Sequence, residues 1–211
     1  MAFSDYKTPA QAQTQFQITY REENFIAAQD VEPPPHFRAE FEFNRAHLDM
    51  FSSEGARSEI IIFPILREAY KNHAQRYSLF VQRYFKCDDE LSGTPDYLIA
   101  TKSVLGKTVL EKPLVVVAEA KKNDFEQGWG QCLAELVAAQ RVNRDPLFPV
   151  YGIVTDGNLW QFGQLVEDVF TKNLNDYTLG GSAQLFGALH FIFQAVTAAS
   201  HSQRGQDNVS V

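Results

Sequence analysis

Apolar positions in SEIIIFPILREAYKNHAQ fall at Ile61, Ile62, Ile65, Leu66 and Ala69. That is the three-and-four spacing of one helix face, opened by Ser58-Glu59. Pro64 lies inside the run, so the pattern predicts either a kink or a second short helix starting there. From Tyr77 the period changes to two. YSLFVQRYF (Tyr77–Phe85) alternates apolar with polar, as a half-buried strand does. A charged turn, CDDELSG, separates it from GTPDYLIAT (Gly93–Thr101), a second strand. Its Pro95 sits near the start, where a missing amide donor does least harm. The Val-rich PLVVVAEAKK (Pro113–Lys122) reads as a central strand covered on both faces. Helical spacing then returns. Asn123 or Asp124 caps a helix to about Asn143, with Asp124 and Gln127 as a capping box. Its inner stripe is Phe125, Trp129, Leu133, Leu136 and Gln140. FPVYGIVT is a further strand, Asp156-Gly157 a two-residue hairpin signal and NLWQFGQL the returning strand. Ser182 opens a last helix with Leu185, Leu189, Ile192 and Val196 on its core face.

The N-terminal segment carries weaker patterns. Residues 1–15 are polar and Gln-rich and read as loose. Phe16–Phe25 and His36–Phe43 read as strands separated by Pro33-Pro34-Pro35, forming an N-terminal extension or edge hairpin. The expected organisation is an extension over 1–57, a β hairpin and a short helix packed on the core, then a main domain over 58–200 and a polar tail over 201–211. Helix, three strands, helix, strand, strand and helix in that order predict an α/β fold, with a mixed sheet flanked by helices on both faces.

Composition narrows the function. The chain has 211 residues, 45% of them hydrophobic, which suits one domain with a full core and excludes a disordered chain. To the eye, no stretch approaches the ~20 apolar residues of a membrane span, and no signal pattern opens the chain. Two cysteines, Cys87 and Cys132, are too few for a thiol metal cluster or a disulfide framework. A reducing cytoplasm, without a membrane, is the expected setting. A net charge of −7 argues against a nucleic-acid binder that uses its whole surface. A local basic groove remains open. Residues 101–122 hold Lys102, Lys107, Lys112, Lys121 and Lys122 against Glu111 and Glu119. Lys102 and Lys122 are the weak candidates from that stretch for contacting nucleic acid.

The chemistry-bearing residues are Asp96, Glu119 and Lys121. Glu119 and Lys121 are two apart, so they point the same way at the end of a buried strand. Asp96 lies at similar depth on the preceding strand. If those strands pair, two carboxylates converge across about one strand spacing. Such a pair repels itself unless a proton or a cation intervenes. Mg²⁺, with Mn²⁺ as substitute, takes oxygen ligands and leaves positions for water and phosphate. The main-chain carbonyl of Ala120 is a third candidate oxygen. Lys121 would then position the attacking water, help deprotonate it or hold a phosphate oxygen, and metal-activated attack on a phosphodiester follows. Structural readings stand beside these. Asp96 also fits a turn cap after Gly93-Thr94, Glu59 the positive end of its helix, and Gln131 with Glu135 a solvated polar face.

Pro95-Asp96 followed by Glu119-Ala120-Lys121 resembles the signature of the PD-(D/E)XK nuclease superfamily. The nearest likeness is to the N-terminal nuclease domain of type I restriction subunits and their stand-alone relatives. Glu59 with Pro64 and Leu66 is similar to their opening helix, Gln131 to the Gln of their trailing helix, and YGIVTDGNLWQFGQL (Tyr151–Leu165) to their hairpin. The likeness covers roughly Ser58 to Leu165. It implies a restriction-endonuclease-like αβββαβ core and Mg²⁺-dependent cleavage of DNA. It also implies Glu59, Asp96 and Glu119 as metal ligands, Lys121 as catalytic lysine and Gln131 as a supporting catalytic or DNA-contacting residue. A homodimer is a further expectation, since two-fold symmetry suits cutting two antiparallel strands. The chain departs from those relatives at Glu135, where many carry Tyr, and no motor follows. These departures support the alternative, a catalytically inactive restriction-endonuclease-like binding or assembly module.

Overall fold

A computed structural model describes the chain from Ala2 to Asp207, with side chains as far as His201. The polar start is not loose. Thr8 caps α1 (Pro9–Phe16) by accepting from the Gln11 N–H, and the Gln11 side chain returns the bond, a capping box around Pro9. β1 (Thr19–Glu23) lies inside the predicted Phe16–Phe25 strand. The strand expected over His36–Phe43 is a helix, α2 (Pro35–His47), so the N-terminal hairpin does not form. The Phe residues of HFRAEFEF fit both periods. What decides is that Pro35 starts a helix well, and that Phe37 and Phe41 then share one face. Phe37 meets Phe186 edge-on at 5.3 Å, while Phe43 is left 60% exposed.

α3 (Glu54–Arg57) continues through a π turn, Ser58–Ile62, into α4 (Phe63–Lys71). The Phe63 N–H reaches back five residues to the Ser58 carbonyl. Pro64 therefore falls in the first turn of α4, where its missing N–H costs little. The chain then forms β2 (Tyr77–Val81), a small ribbon of β3 (Phe85–Lys86) with β4 (Ser92–Gly93), β5 (Tyr97–Lys102) and β6 (Leu110–Ala120). α5 (Phe125–Asn143) follows, its N-terminus capped by Asp124 accepting from the Gln127 N–H. Next come β7 (Val150–Thr155), β8 (Leu159–Val166), β9 (Val169–Asn173), β10 (Tyr177–Thr178) and α6 (Ser182–Asp207).

The main sheet runs β1-β9-β8-β7-β6-β5-β2, with β10 beside β8. β6–β7 and β1–β9 are parallel, and the other pairs are antiparallel. The sheet is therefore mixed and largely antiparallel. Ile61, Ile65, Phe186 and Leu189 of the α4 and α6 layer share one core with Val116 and Ala118. Trp129, Leu133 and Leu136 of α5 share the other with Val117 and Val154. Helices thus cover both faces, as the sequence predicts, and Val117, Glu119 and Lys121 face α5.

One expectation about α6 needs correcting. Leu179–His201, with a mean hydropathy of 1.2, is by length and composition apolar enough to cross a membrane. Interspersed Gly, Gln, His and Thr hide that run from the eye. In this fold Leu185, Leu189, Ile192 and Val196 are buried in the core, so the helix reads as a core helix. It meets the end of α4 through His73, whose Nε2 lies 3.1 Å from His190 Nδ1, and whose ring stacks on Phe193 at 4.3 Å. Burial, with His190 and Arg76 adding, pushes His73 down to about 4. The unfolded chain therefore takes up this proton first as pH falls. Stability should drop as pH goes from about 6.5 to 4, and thermal melts across that range should show a shallower slope in His73→Gln.

Candidate active site

The β5–β6 register sets Tyr97 against Ala118 and Leu98 against Val117. Continued by one residue, it sets Asp96 opposite Glu119. There the ladder passes from backbone to side chains. The Asp96 N–H donates to Glu119 Oε1 at 3.3 Å, and the Ala120 N–H donates to Asp96 Oδ2 at 2.8 Å. Lys121 follows directly after β6. Its own N–H holds Thr155 of β7, so the carboxyl ends of the parallel strands β6 and β7 stay side by side. In open α/β sheets that edge is the usual place for a ligand crevice.

α5 closes the cluster from above. Lys121 Nζ donates to Glu119 Oε2 at 3.0 Å and to Gln131 Oε1 at 3.2 Å. Gln131 Nε2 then donates to Glu135 Oε1 at 3.1 Å. Gln131 and Glu135 are not a solvated polar face: they are 9% and 0% exposed. Gly128 lets the helix come this close. A Cβ there would lie 2.5 Å from Val154 Cγ1 and 3.1 Å from Lys121 Cγ. Ala ordinarily improves a helix interior over Gly by about 1 kcal/mol, whereas overpacking a stiff Val costs ~1–3 kcal/mol. Gly128→Ala should therefore lower the melting temperature and loosen the Lys121–Gln131 contact, which a melt and a crystal structure of the variant would read.

The electrostatics follow from three buried or half-buried carboxyls around one ammonium. Burial pushes Glu119 up to about 7; Asp96 adds to the shift and Lys121 opposes it. Burial also raises Asp96, against the pull of the Ala120 N–H and Lys121. Glu135 is held well above the usual carboxylate range by burial and by Glu119. Ionised, it would leave Oε2 buried without a donor. Protonated, it has a hydrogen to share, and the Glu119 carboxylate is its partner. Burial acts to lower Lys121, but Glu119 and Asp96 outweigh it and the net shift is upward, so Lys121 remains an ammonium.

Asp96, Glu119, Lys121, Gln131 and the main chain of Ala120 thus come together. Ala120 enters through its N–H. Glu59 is exposed on the π turn, and its charge acts on Tyr97; the acidic charge felt by Lys121 from this helix is that of Glu54. Glu135 is the residue that motif spacing alone did not bring into the site. Helical phase offered a signal for Glu135, which sits one turn beyond Gln131 on the same face. Lys122 is exposed next to Lys121. Lys102 lies at the far end of β5, where its Nζ donates to the Ala74 carbonyl. β6 has 11 residues, so the two ends of the basic stretch are roughly 30 Å apart and form no single groove.

Among the described residues, no group of three or more His, Cys, Asp or Glu side chains is arranged to hold a metal ion. The donor set nevertheless fits a hard divalent cation. Mg²⁺ is commonly held by one or two carboxylates plus water and phosphate, and Asp96 with Glu119 supplies that pair. Three carboxyls against one ammonium would carry a net −2 if all were ionised, an excess that a cation relieves as well as protons do. Comparison with protein-family models, curated proteins and solved structures gives no match.

Proposed function

We propose that this chain is a Mg²⁺-dependent nuclease with a restriction-endonuclease-like core, hydrolysing phosphodiester bonds of DNA. The observation that carries the reading is the convergence of Asp96, Glu119, Lys121 and Gln131 at the carboxyl end of β6. When bound, the cation would lower the pKa of a water and polarise a phosphoryl oxygen. Asp96 and Glu119 would hold it, with the Ala120 carbonyl a further candidate oxygen. The residues divide the remaining work. Lys121 stays an ammonium, so its role is to hold a phosphate oxygen or orient the water rather than to remove a proton. Gln131 fixes the Lys121 head group and is in turn fixed by Glu135. A cytoplasmic setting and a homodimer, one copy per DNA strand, belong to the same proposal.

A second reading has its own support. Glu119 already accepts from the Asp96 N–H and from Lys121, and no third acidic ligand joins the pair among the described residues. That closed network also suits a catalytically inactive binding module. Calorimetric titration with Mn²⁺ and cleavage of plasmid DNA separate the two. The nuclease reading expects saturable Mn²⁺ binding weakened in Asp96→Ala, together with metal-dependent nicking. A folded wild type that does neither leaves the module.

A further inference from the structure

At the end of the sheet remote from Asp96 and Glu119, Arg76, Lys102 and Lys112 line one cavity of about 440 Å³, with His201 on its rim. None of these three cations has an ion-pair partner among the described residues. The nearest acid in sequence, Glu111, is turned to Ser103 Oγ and to the backbone N–H of Lys112. Arg76 Nη1 lies 3.5 Å from His201 Nε2.

The backbone builds this cavity. In the β5–β6 ladder Ala100 pairs with Leu114 but Thr101 with Glu111, so Lys112 and Pro113 have no partner across the ladder. A bulge of this kind re-aims the side chains it carries, and here it brings Lys112 to the same cavity as Lys102. The walls are tied. Lys102 donates through its N–H to the Arg76 carbonyl at 2.8 Å and through Nζ to the Ala74 carbonyl at 3.0 Å. Like charges held by a fixed frame around one space repel each other and favour an anion between them.

We propose that this cavity binds a compact phosphate anion of the pyrophosphate or phosphomonoester class, at a site separate from the carboxylate cluster. The proposal does not rest on the nuclease reading. The cations converge on one cavity instead of tracking a stripe, and the chain as a whole carries −7, so a small polyvalent anion is favoured over a long polyanion.

The test is calorimetry on the full chain with pyrophosphate in metal-free, low-salt buffer. The expected result is one saturable site, weakened about tenfold or more in both Arg76→Ala and Lys112→Ala. Lys112→Arg should keep most of the affinity, and Lys172→Ala, which removes a charge elsewhere, should bind as wild type. Arg76 and Lys112 are exposed, so the variants should fold, which a melt would check. Absence of saturable binding, or equal weakening in all the alanine variants, overturns the site. A 12-nucleotide single strand that binds more tightly than pyrophosphate through Lys112 overturns the small-anion assignment in favour of a nucleic-acid surface.

Discussion

Lys121→Ala should lower metal-dependent cleavage of plasmid DNA by about 10³-fold while leaving the protein folded. Removing one preorganised donor to a developing negative charge costs ~10²–10³ in rate, and here the lost group is a full cation. Lys121→Arg should restore little. A planar guanidinium cannot reproduce a point charge held between Glu119 Oε2 and Gln131 Oε1. Glu119→Gln should be as inactive, because the amide surrenders one of the two carboxylates. Gln131→Ala should lose about 10–100-fold, the scale of a residue that only orients another. Rates measured beside melting curves make the ordering decisive. Equal cleavage by wild type, Lys121→Ala and Glu119→Gln would assign any activity to another site or to a contaminant.

Much of this geometry is legible in the sequence. Pro95 near the start of β5 and the Val run of β6 mark these strands in the sequence, and the pairing they imply is the one that sets Asp96 against Glu119. Asp124 and Gly157 mark boundaries because capping and positive φ are local chemistry, readable residue by residue. What failed needed partners distant in sequence. HFRAEFEF fits both periods; Pro35 favours a helix start, and Phe37 packing on Phe186 of α6, a contact no local period reveals, completes the choice. β9 turns back on Glu167-Asp168, which lacks glycine, so nothing punctuated it; Glu167 simply adopts φ 53°. Glu135 looked solvated since charge is normally exposed. It is buried because Glu119 and Gln131 are there to share a proton and a hydrogen bond with it. The apparent basic stretch failed for a geometric reason, since a strand carries its two ends to opposite edges of the sheet.

The buried carboxyls should also make the metal-free protein lose stability as pH rises, opposite in sign to the His73 effect. Glu119 sits at about 7 in the fold and near 4.5 when unfolded, and burial also holds Glu135 well above the usual carboxylate range. Between those values the folded chain holds protons that the unfolded chain has released, so raising pH favours unfolding. The contribution is intact below about 4.5 and is lost as pH passes through about 7. For Glu119 alone the shift corresponds to roughly 3 kcal/mol, or several degrees in melting temperature for a chain of this size. Melts from pH 5 to 8.5 in chelator should therefore fall on the alkaline side. Glu135→Gln, which keeps the contact to Gln131 without a titrating proton, should flatten part of the slope. Millimolar Mn²⁺ should restore stability most at pH 8, where Glu119 is ionised and a cation takes the place of the proton. A melting temperature that is level across this range in chelator would mean that the carboxyls are solvated and that no strained acidic pair awaits an ion. A slope that Glu135→Gln and Mn²⁺ leave untouched would put its origin elsewhere in the fold.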